Sequence, residues 1–399
     1  MWEAVAFILL LGQLPAALVL LARLSKGPSR RPPVAPRRPQ LADFGCASVV
    51  VPTLNEALRI GPCLEGLSRQ GFELREVIVV DSRSTDGTGD LVRDRGRRDP
   101  RLRLMTDDPL PAGWVGRPWA LQSGFEATNP ASRWVLGIDA DTQPQPGLIA
   151  GAIAAAEAED FDIISLSPRF ILKYPGECLL QPALLMTLVY RFGPTGSDAT
   201  GAERVMANGQ CFLARRDRLA AIGGYGSARR SFCDDVTLAR HAAASGLKVG
   251  FLDGSKVIKV RMYDGAAETW REWGRSLDLK DASSRGQLWG DLWLLTAVQG
   301  LPLPLTILWG SAIALSTHPV APVLWTAFGL NSFLLLIRIA LNWAIAGSYD
   351  LSGARGAWLF YCSAIADPLA ALRIGLSSVQ TPSQWRGRQY DATLGEAVD

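Results

Sequence analysis

Histidine is nearly absent: the 399 residues contain two, His241 and His318. That excludes a His-rich zinc centre and disfavours a Ser-His-Asp triad. The six cysteines (Cys46, Cys63, Cys178, Cys211, Cys233 and Cys362) show no CxxC spacing. They read as reduced thiols of a cytosolic face, not as a disulfide frame. Cys233 stands beside acidic residues, which raise a thiol pKa and argue against a nucleophile there. The charge imbalance is also small, +3, so nothing calls for nucleic acid as a partner. Internal repeats and low-complexity tails are missing as well. The chain is 48% hydrophobic with a mean hydropathy of +0.13. That is apolar for a soluble enzyme and too polar for a transporter, and it points to a chain of mixed soluble and membrane character.

Long apolar runs occur only toward the two ends. Residues 2–22, WEAVAFILLLGQLPAALVLLA, are about long enough to cross a bilayer. Arg23, Lys26, Arg30, Arg31, Arg37 and Arg38 follow, with no acid before Asp43. A secretory signal carries its positive charge before the apolar run, so residues 1–23 read as a retained anchor with a cytoplasmic basic flank, the alternative being a cleaved signal. Residues 24–45 form a Pro- and Arg-rich linker expected to run along an anionic membrane surface. After residue 288 the chain turns apolar again. Residues 291–315 and 323–346 are candidate membrane helices, the first interrupted by Pro302 and Pro304. Residues 358–376 are a third, weaker candidate, because Asp367 and Arg373 are costly against lipid and call for pairing or an interface. Residues 288–380 are thus expected as membrane or interfacial helices, with a polar tail at 381–399.

Between these ends, residues 46–287 alternate apolar strands with helical spacing. The strands are expected at 47–51, ending in a Pro-Thr turn, at 76–80, in RLRLMTDD, in RWVLGIDAD and at 163–167. Helical patterns occupy 55–68, 87–95 and 117–127. Polar turns follow the strand ends. This is the pattern of a doubly wound α/β sheet, which places ligands beyond the strands' C-terminal ends. The segment 176–192 is apolar and suits a membrane surface.

The acids at those strand ends are the candidate chemistry. GIDADTQPQP sets Asp139 and Asp141 two positions apart after an apolar run. Such a pair fits a solvated loop, a calcium loop or a clamp for Mg2+ or Mn2+ on a diphosphate. A calcium loop needs further acids, whereas Thr142, Gln143, Pro144 and Gln145 follow. Asp81 precedes the turn SRSTDGT and serves either a base or ribose in the crevice or the cap of the next helix. Asp234 and Asp235 open an apparent helix, where the helix terminus favours ionised carboxylates. They fit a general base for an acceptor hydroxyl, or a helix cap. GWVGRPWAL (113–121) carries Arg117 in a loop that fits either a phosphate approach or a packed turn. WREWGRSLDLKD (270–281) carries Arg271, Arg275 and Lys280, suited to a leaving diphosphate or to lipid headgroups.

Taken in order, VVVPTLNEA (49–57), VIVVDSRSTDGT (77–88), GIDADTQP (137–144), NGQCFLARRDRLAAIGGY (208–225) and CDDVTLARHAAASG (233–246) resemble the family 2 inverting glycosyltransferases, which have a GT-A fold. The resemblance implies a GT-A type mixed sheet with flanking membrane helices. It also implies that the first loop, with Pro52, Asn55 and Glu56, holds a nucleotide-sugar together with Asp81, and Arg117 in its own loop is a further candidate for the donor. Asp139 and Asp141 match the metal and diphosphate position, Asp141 being the stronger metal ligand. Asp235 matches the base, beside Asp234, and Arg275 faces the leaving group. The chain departs from the processive members at their QxxRW motif, here Glu272-Trp273-Gly274-Arg275-Ser276, which lowers the expectation of a polymer-extruding synthase.

More closely, GWVGRPWAL, SLSPRFILKYPGE, ERVMANGQCFLARR, SFCDDVTLAR and REWGRSLDLKDASSRGQLW look like the cyanobacterial carotenoid 2-O-glycosyltransferase group. A broader similarity runs to hopanoid-associated and ceramide glucosyltransferase-like enzymes. The implied acceptor is a lipophilic hydroxylated molecule such as myxol, with membrane lipids as neighbours. Transfer to a hopanoid, sterol, sphingolipid or glycerolipid is the alternative. A non-catalytic scaffold is opposed by the retention of Asp81, Asp139, Asp141 and Asp235. A nucleotidyltransferase fits the acid pair at 234–235 and the membrane tail poorly.

Overall fold

The computed structural model describes residues 2–273, 277 and 279–379, and the backbone of 384–385 and 388–389. Arg275 and most of the tail lie outside the described residues. The chain divides into two compact units. One holds the α/β sheet, from Arg31–Ile171 and Thr195–Met262. The other gathers the apolar helices, from the described residues up to Arg30, Leu172–Pro194, and those from Tyr263 to Val379.

The sheet is built on β1 (Ala47–Thr53), whose seven residues are all buried. A β-branched run buried on both faces suits the centre of a parallel sheet. β2 (Leu74–Asp81), β3 (Leu102–Thr106) and β4 (Trp134–Ile138) run parallel to it. β5 (Thr142–Pro144), β6 (Ile163–Ser167), β7 (Arg169–Ile171), β8 (Cys211–Arg215), β9 (Val249–Asp253) and β10 (Ile258–Val260) complete the strands of this unit. The main sheet has seven strands in the order β3-β2-β1-β4-β8-β6-β9. β8 is antiparallel to both β4 and β6, so the sheet is mixed. β10 pairs with β5 and β7 beside it.

Strand β1 runs two residues past its expected end at Val51, through Pro52 and Thr53. The Thr53 carbonyl accepts from the Ser82 amide at 2.9 Å, so odd positions of β1 face β2. Pro52 therefore faces the β4 side, where pairing has already ended at Val50 and Gly137. Its missing N–H is lost where no ladder bond is due. The helix after this strand starts at Ile60, not Asn55, because residues 54–57 are tied to the next loop instead. The helix Gly116–Glu126 lies close on the sheet: a Cβ on Gly124 would fall 2.3 Å from Val50 Cγ1.

The linker residues from Arg31 onward dock on the sheet unit. Val34 is buried in the core of the sheet unit, and its amide donates to the Asp253 carbonyl at 2.8 Å. The Arg37 amide donates to the Gly147 carbonyl at 3.2 Å. Arg31 Nε pairs with Glu159 at 2.7 Å. An extended Pro-rich backbone keeps its amides free for such docking.

In the other unit, Trp2–Ser29 and Pro322–Ser348 are long and apolar enough to cross a membrane. Arg285–Gly300 and Pro302–Ala314 form a pair bent by 46° at the expected proline break. Residues 358–376 are not one helix. They form the short turns Ala357–Phe360 and Ser363–Ala366, then the helix Asp367–Val379. That helix is one-sided. Asp367 and Arg373 face inward while Leu369, Leu372, Leu376 and Val379 are exposed. Asp367 Oδ2 pairs with Arg338 Nε at 2.7 Å, and Arg373 Nε donates to the Trp270 carbonyl at 2.7 Å. Gln13 Nε2 donates to Asn331 Oδ1 at 2.9 Å, joining the first and last long helices.

Candidate active site

The parallel strands β1, β2 and β4 end on one edge of the sheet, and the acids foreseen in the sequence follow these ends. The register pairs Thr53 with Asp81 at the last position of β1 and β2. Asp139 comes directly after β4, and Asp141 lies in the turn before β5. Both are half-buried.

Two loops are knitted together at the Asp81 end. Asp81 Oδ1 accepts from the Ser84 amide at 3.2 Å, from the Ser84 hydroxyl, and from Thr53 Oγ1 at 3.4 Å. Among the described residues nothing donates to Oδ2. One oxygen of Asp81 thus closes the turn, while Gly87, not Asp81, stands at the cap of the helix Thr88–Arg98. The Asn55 amide donates to Ser84 Oγ at 2.8 Å, and Asn55 Oδ1 accepts from the Thr85 amide at 2.9 Å. Asn55 holds φ 55°, a left-handed conformation that asparagine tolerates. The Glu56 amide donates to Thr88 Oγ1 at 2.9 Å, and the Ala57 amide donates to Asp86 Oδ2 at 2.9 Å. Burial is the largest single influence on Asp86 and opposes its charge, but the bonds from the Thr88 hydroxyl and from the Ala57, Thr88 and Asp86 amides together outweigh it and hold the carboxyl below its ordinary value. Pro52 is a buried strand residue.

A second cluster surrounds Arg117, in the first turn of the helix Gly116–Glu126. Its Nε and Nη2 donate to Asp139 Oδ1 at 3.1 and 2.8 Å. Nη1 donates to Asp234, and Nη2 also donates to the Gly209 carbonyl at 3.0 Å. The Gly209 amide donates to Asp235 Oδ2 at 2.6 Å. Asp234 and Asp235 open the helix Asp234–Ala244, with Cys233 at the cap position. Asp234 thus turns to Arg117 as an ion-pair partner and does not cap its own helix from outside. Arg117 is accordingly a packed, paired residue and not part of an open loop.

Electrostatics follow from that packing. Burial raises the Asp234 carboxyl most, Arg117 lowers it and Asp235 raises it, to about 6. Asp235 is also raised, chiefly by burial, against the pull of Arg117 and of the Val236 and Gly209 amides. Burial works against the Arg117 charge, but Asp139, Asp234 and Asp235 together keep its pKa well above the ordinary arginine value. Burial pushes the Cys63 thiol, near Asp139, up to about 12, so it is inert as a nucleophile.

Residues 48–223 match the family model described as Glycosyl transferase family 2. These residues are a family 2 glycosyltransferase domain. The chain is 25% identical over 267 residues to 4,4'-diaponeurosporenoate glycosyltransferase of Staphylococcus haemolyticus, covering 65% of this chain and 69% of that protein. It is 30% identical over 118 residues to undecaprenyl-phosphate mannosyltransferase of Micrococcus luteus, covering 29% of this chain and 45% of that protein. Among solved structures, a mannosyltransferase of Pyrobaculum calidifontis, in complex with GDP-Man and Mn2+, aligns with a TM-score of 0.50 and 21% identity. That alignment spans 95% of this chain and 98% of the other. The glycosyltransferase domain is thus an α/β, GT-A type mixed sheet, and the chain is a glycosyltransferase. Sequence reasoning did not single out Gly209, Ser84 or Asp86, although each lies in a quoted motif. Their role is to donate or accept at the backbone of a distant loop, which spacing alone does not reveal.

A divalent cation fits the donor set at the end of β4. Asp139 Oδ1 is taken by Arg117, while no described residue donates to Oδ2 and the side chain is 27% exposed. Asp139 and Asp141 offer hard oxygen ligands, the kind Mg2+ and Mn2+ take. No cluster of three or more His, Cys, Asp or Glu is placed for a metal among the described residues. Further ligands would have to come from the donor's phosphates and water, as is usual for Mg2+ at phosphate sites.

Proposed function

We propose that this glycosyltransferase is a membrane-bound inverting enzyme that moves one sugar from a nucleotide-sugar to the hydroxyl of a lipophilic acceptor, a hydroxylated carotenoid such as myxol. The observation that carries the reading is the meeting of Asp139, Asp234 and Asp235 around Arg117 and Gly209. It joins a diphosphate-side carboxylate to a candidate base at one end of the sheet.

In this reading Asp81 and the loop holding Asn55 and Glu56 bind the nucleoside, with the open Asp81 Oδ2 toward base or ribose. Asp139 and Asp141 are the residues that would hold Mg2+ or Mn2+, which when bound neutralises the diphosphate. Asp235 takes the proton of the acceptor hydroxyl as that oxygen attacks the anomeric carbon and the nucleoside diphosphate departs. Its raised pKa suits a base, and the Gly209 amide fixes its direction. A single displacement inverts the anomeric centre. Arg275 is retained as a partner of the leaving diphosphate.

The lipophilic acceptor is supported by the carotenoid-related S. haemolyticus relative and by the two helices able to cross a membrane. The basic residues after the first helix favour a multi-pass chain with the sheet unit on the cytoplasmic side. Asp235→Asn tests the mechanism. Transfer by the full chain should fall by about 10²–10⁴-fold while nucleotide binding changes little. Transfer at near the original rate would remove Asp235 as the base.

A further inference from the structure

Among the described residues, Arg117 is the side chain that bonds to both Asp139 and Asp234. It is only 15% exposed, and three of its nitrogens are engaged by protein oxygens. A cation reserved for phosphate would leave the acids alone. This one instead serves as their internal counter-ion. Gly209 makes room for it: a Cβ there would fall 2.3 Å from Arg117 Nη2. The position of the guanidinium is therefore fixed from three sides.

We propose that Arg117 makes divalent-cation binding depend on the donor. This rests on the reading that Asp139 and Asp141 hold the cation. With the donor absent, the guanidinium on Asp139 Oδ1 repels a second cation approaching Oδ2 of the same carboxylate. Both charges sit in a partly buried site where water screens them poorly. The diphosphate adds negative charge that the guanidinium and the metal share, and the repulsion is offset. By linkage, nucleotide then tightens metal binding by the same factor that metal tightens nucleotide binding.

The test is equilibrium Mn2+ binding to the full chain in detergent, read from the electron paramagnetic resonance signal of free Mn2+. It is run alone, with UDP and with GDP. In the unaltered protein one nucleotide should tighten Mn2+ by about tenfold or more. In Arg117→Met, Mn2+ alone should bind about tenfold tighter than in the unaltered protein, and the nucleotide effect should fall toward one. Arg117→Lys keeps the charge and should keep most of the coupling. Should Arg117→Met fail to fold, Gly209→Ala displaces the guanidinium without removing it and should lower the coupling partway. Mn2+ binding alone that is no tighter in Arg117→Met, with coupling intact, overturns the proposal and leaves the donor-site reading standing. An unaltered protein that holds no Mn2+ with either nucleotide overturns both.

Discussion

The Gly209 amide donates to Asp235 Oδ2 at 2.6 Å, and the carbonyl of the same residue accepts from Arg117 at 3.0 Å. One residue at the entrance to β8 thus aims the candidate base and anchors the counter-ion of its neighbour. A Cβ there would fall 2.3 Å from Arg117 Nη2, so the guanidinium would have to move. Gly209→Ala should cost about 1–3 kcal/mol of stability, the usual range for overpacking. Turnover should drop further than stability explains, because Arg117 and Asp235 both shift. Thermal unfolding and transfer rate, measured on the same preparation, check this.

Asp81 gives Oδ1 to Thr53 and Ser84, and in the proposed reading its other oxygen serves the nucleoside. Asp81→Ala should raise the donor KM by about tenfold and leave kcat within a few-fold, the pattern of lost ground-state binding. Ser84→Ala, which loosens the turn but keeps the carboxylate, should show a smaller rise. Equal losses in kcat for both variants would assign the loop a purely structural part.

The Asp234 carboxyl lies at about 6 in the folded protein, above the ordinary 3.8. Folding therefore takes up a proton between those values. The resulting contribution to stability is fully present below about 3.8 and is lost as pH rises through about 6. Asp234→Asn does not titrate at that position. The melting temperature of the unaltered protein, relative to this variant, should fall between pH about 4.5 and about 7. A flat difference across that window would show that burial does not control Asp234.

Arg338 and Asp367 form an ion pair in which both side chains are under 5% exposed, at 2% and 4%. Asp367→Ala leaves Arg338 Nε without its carboxylate and should destabilise the protein by about 3–5 kcal/mol. Asp367→Leu combined with Arg338→Leu should recover much of that loss, since a paired charge in the interior is replaced by apolar contact. Unfolding in detergent measures both.

The sheet was legible because its strands are continuous apolar runs closed by polar turns, and burial of β1 on both faces leaves little choice of state. The acids at 81, 139 and 141 were visible because each stands at or just beyond the end of an apolar strand, and those at 234 and 235 because they open a helix. Three features were not legible. Strand β1 runs on through Pro52 because an alternating ladder hides the missing N–H. The linker docks through backbone amides and Val34, which composition does not report. Residues 358–376 divide into two short turns and a helix that opens on Asp367, whose partner Arg338 is distant in sequence. Arg117 illustrates the limit best. Its loop suggested phosphate, but which acids it pairs with depends on how Gly209 and the 234–244 helix converge.

The most direct test is lipid extraction and mass spectrometry of a carotenoid-producing bacterial host expressing this chain, beside one expressing Asp141→Ala. A hexose or deoxyhexose mass added to a hydroxylated carotenoid, and absent from the variant, is the predicted result. A new sugar on a hopanoid, glycerolipid or polyprenyl phosphate would keep the reaction and replace the acceptor. The same glycosylated carotenoid in both hosts would contradict the assignment of the Asp139–Asp141 pair to the donor site.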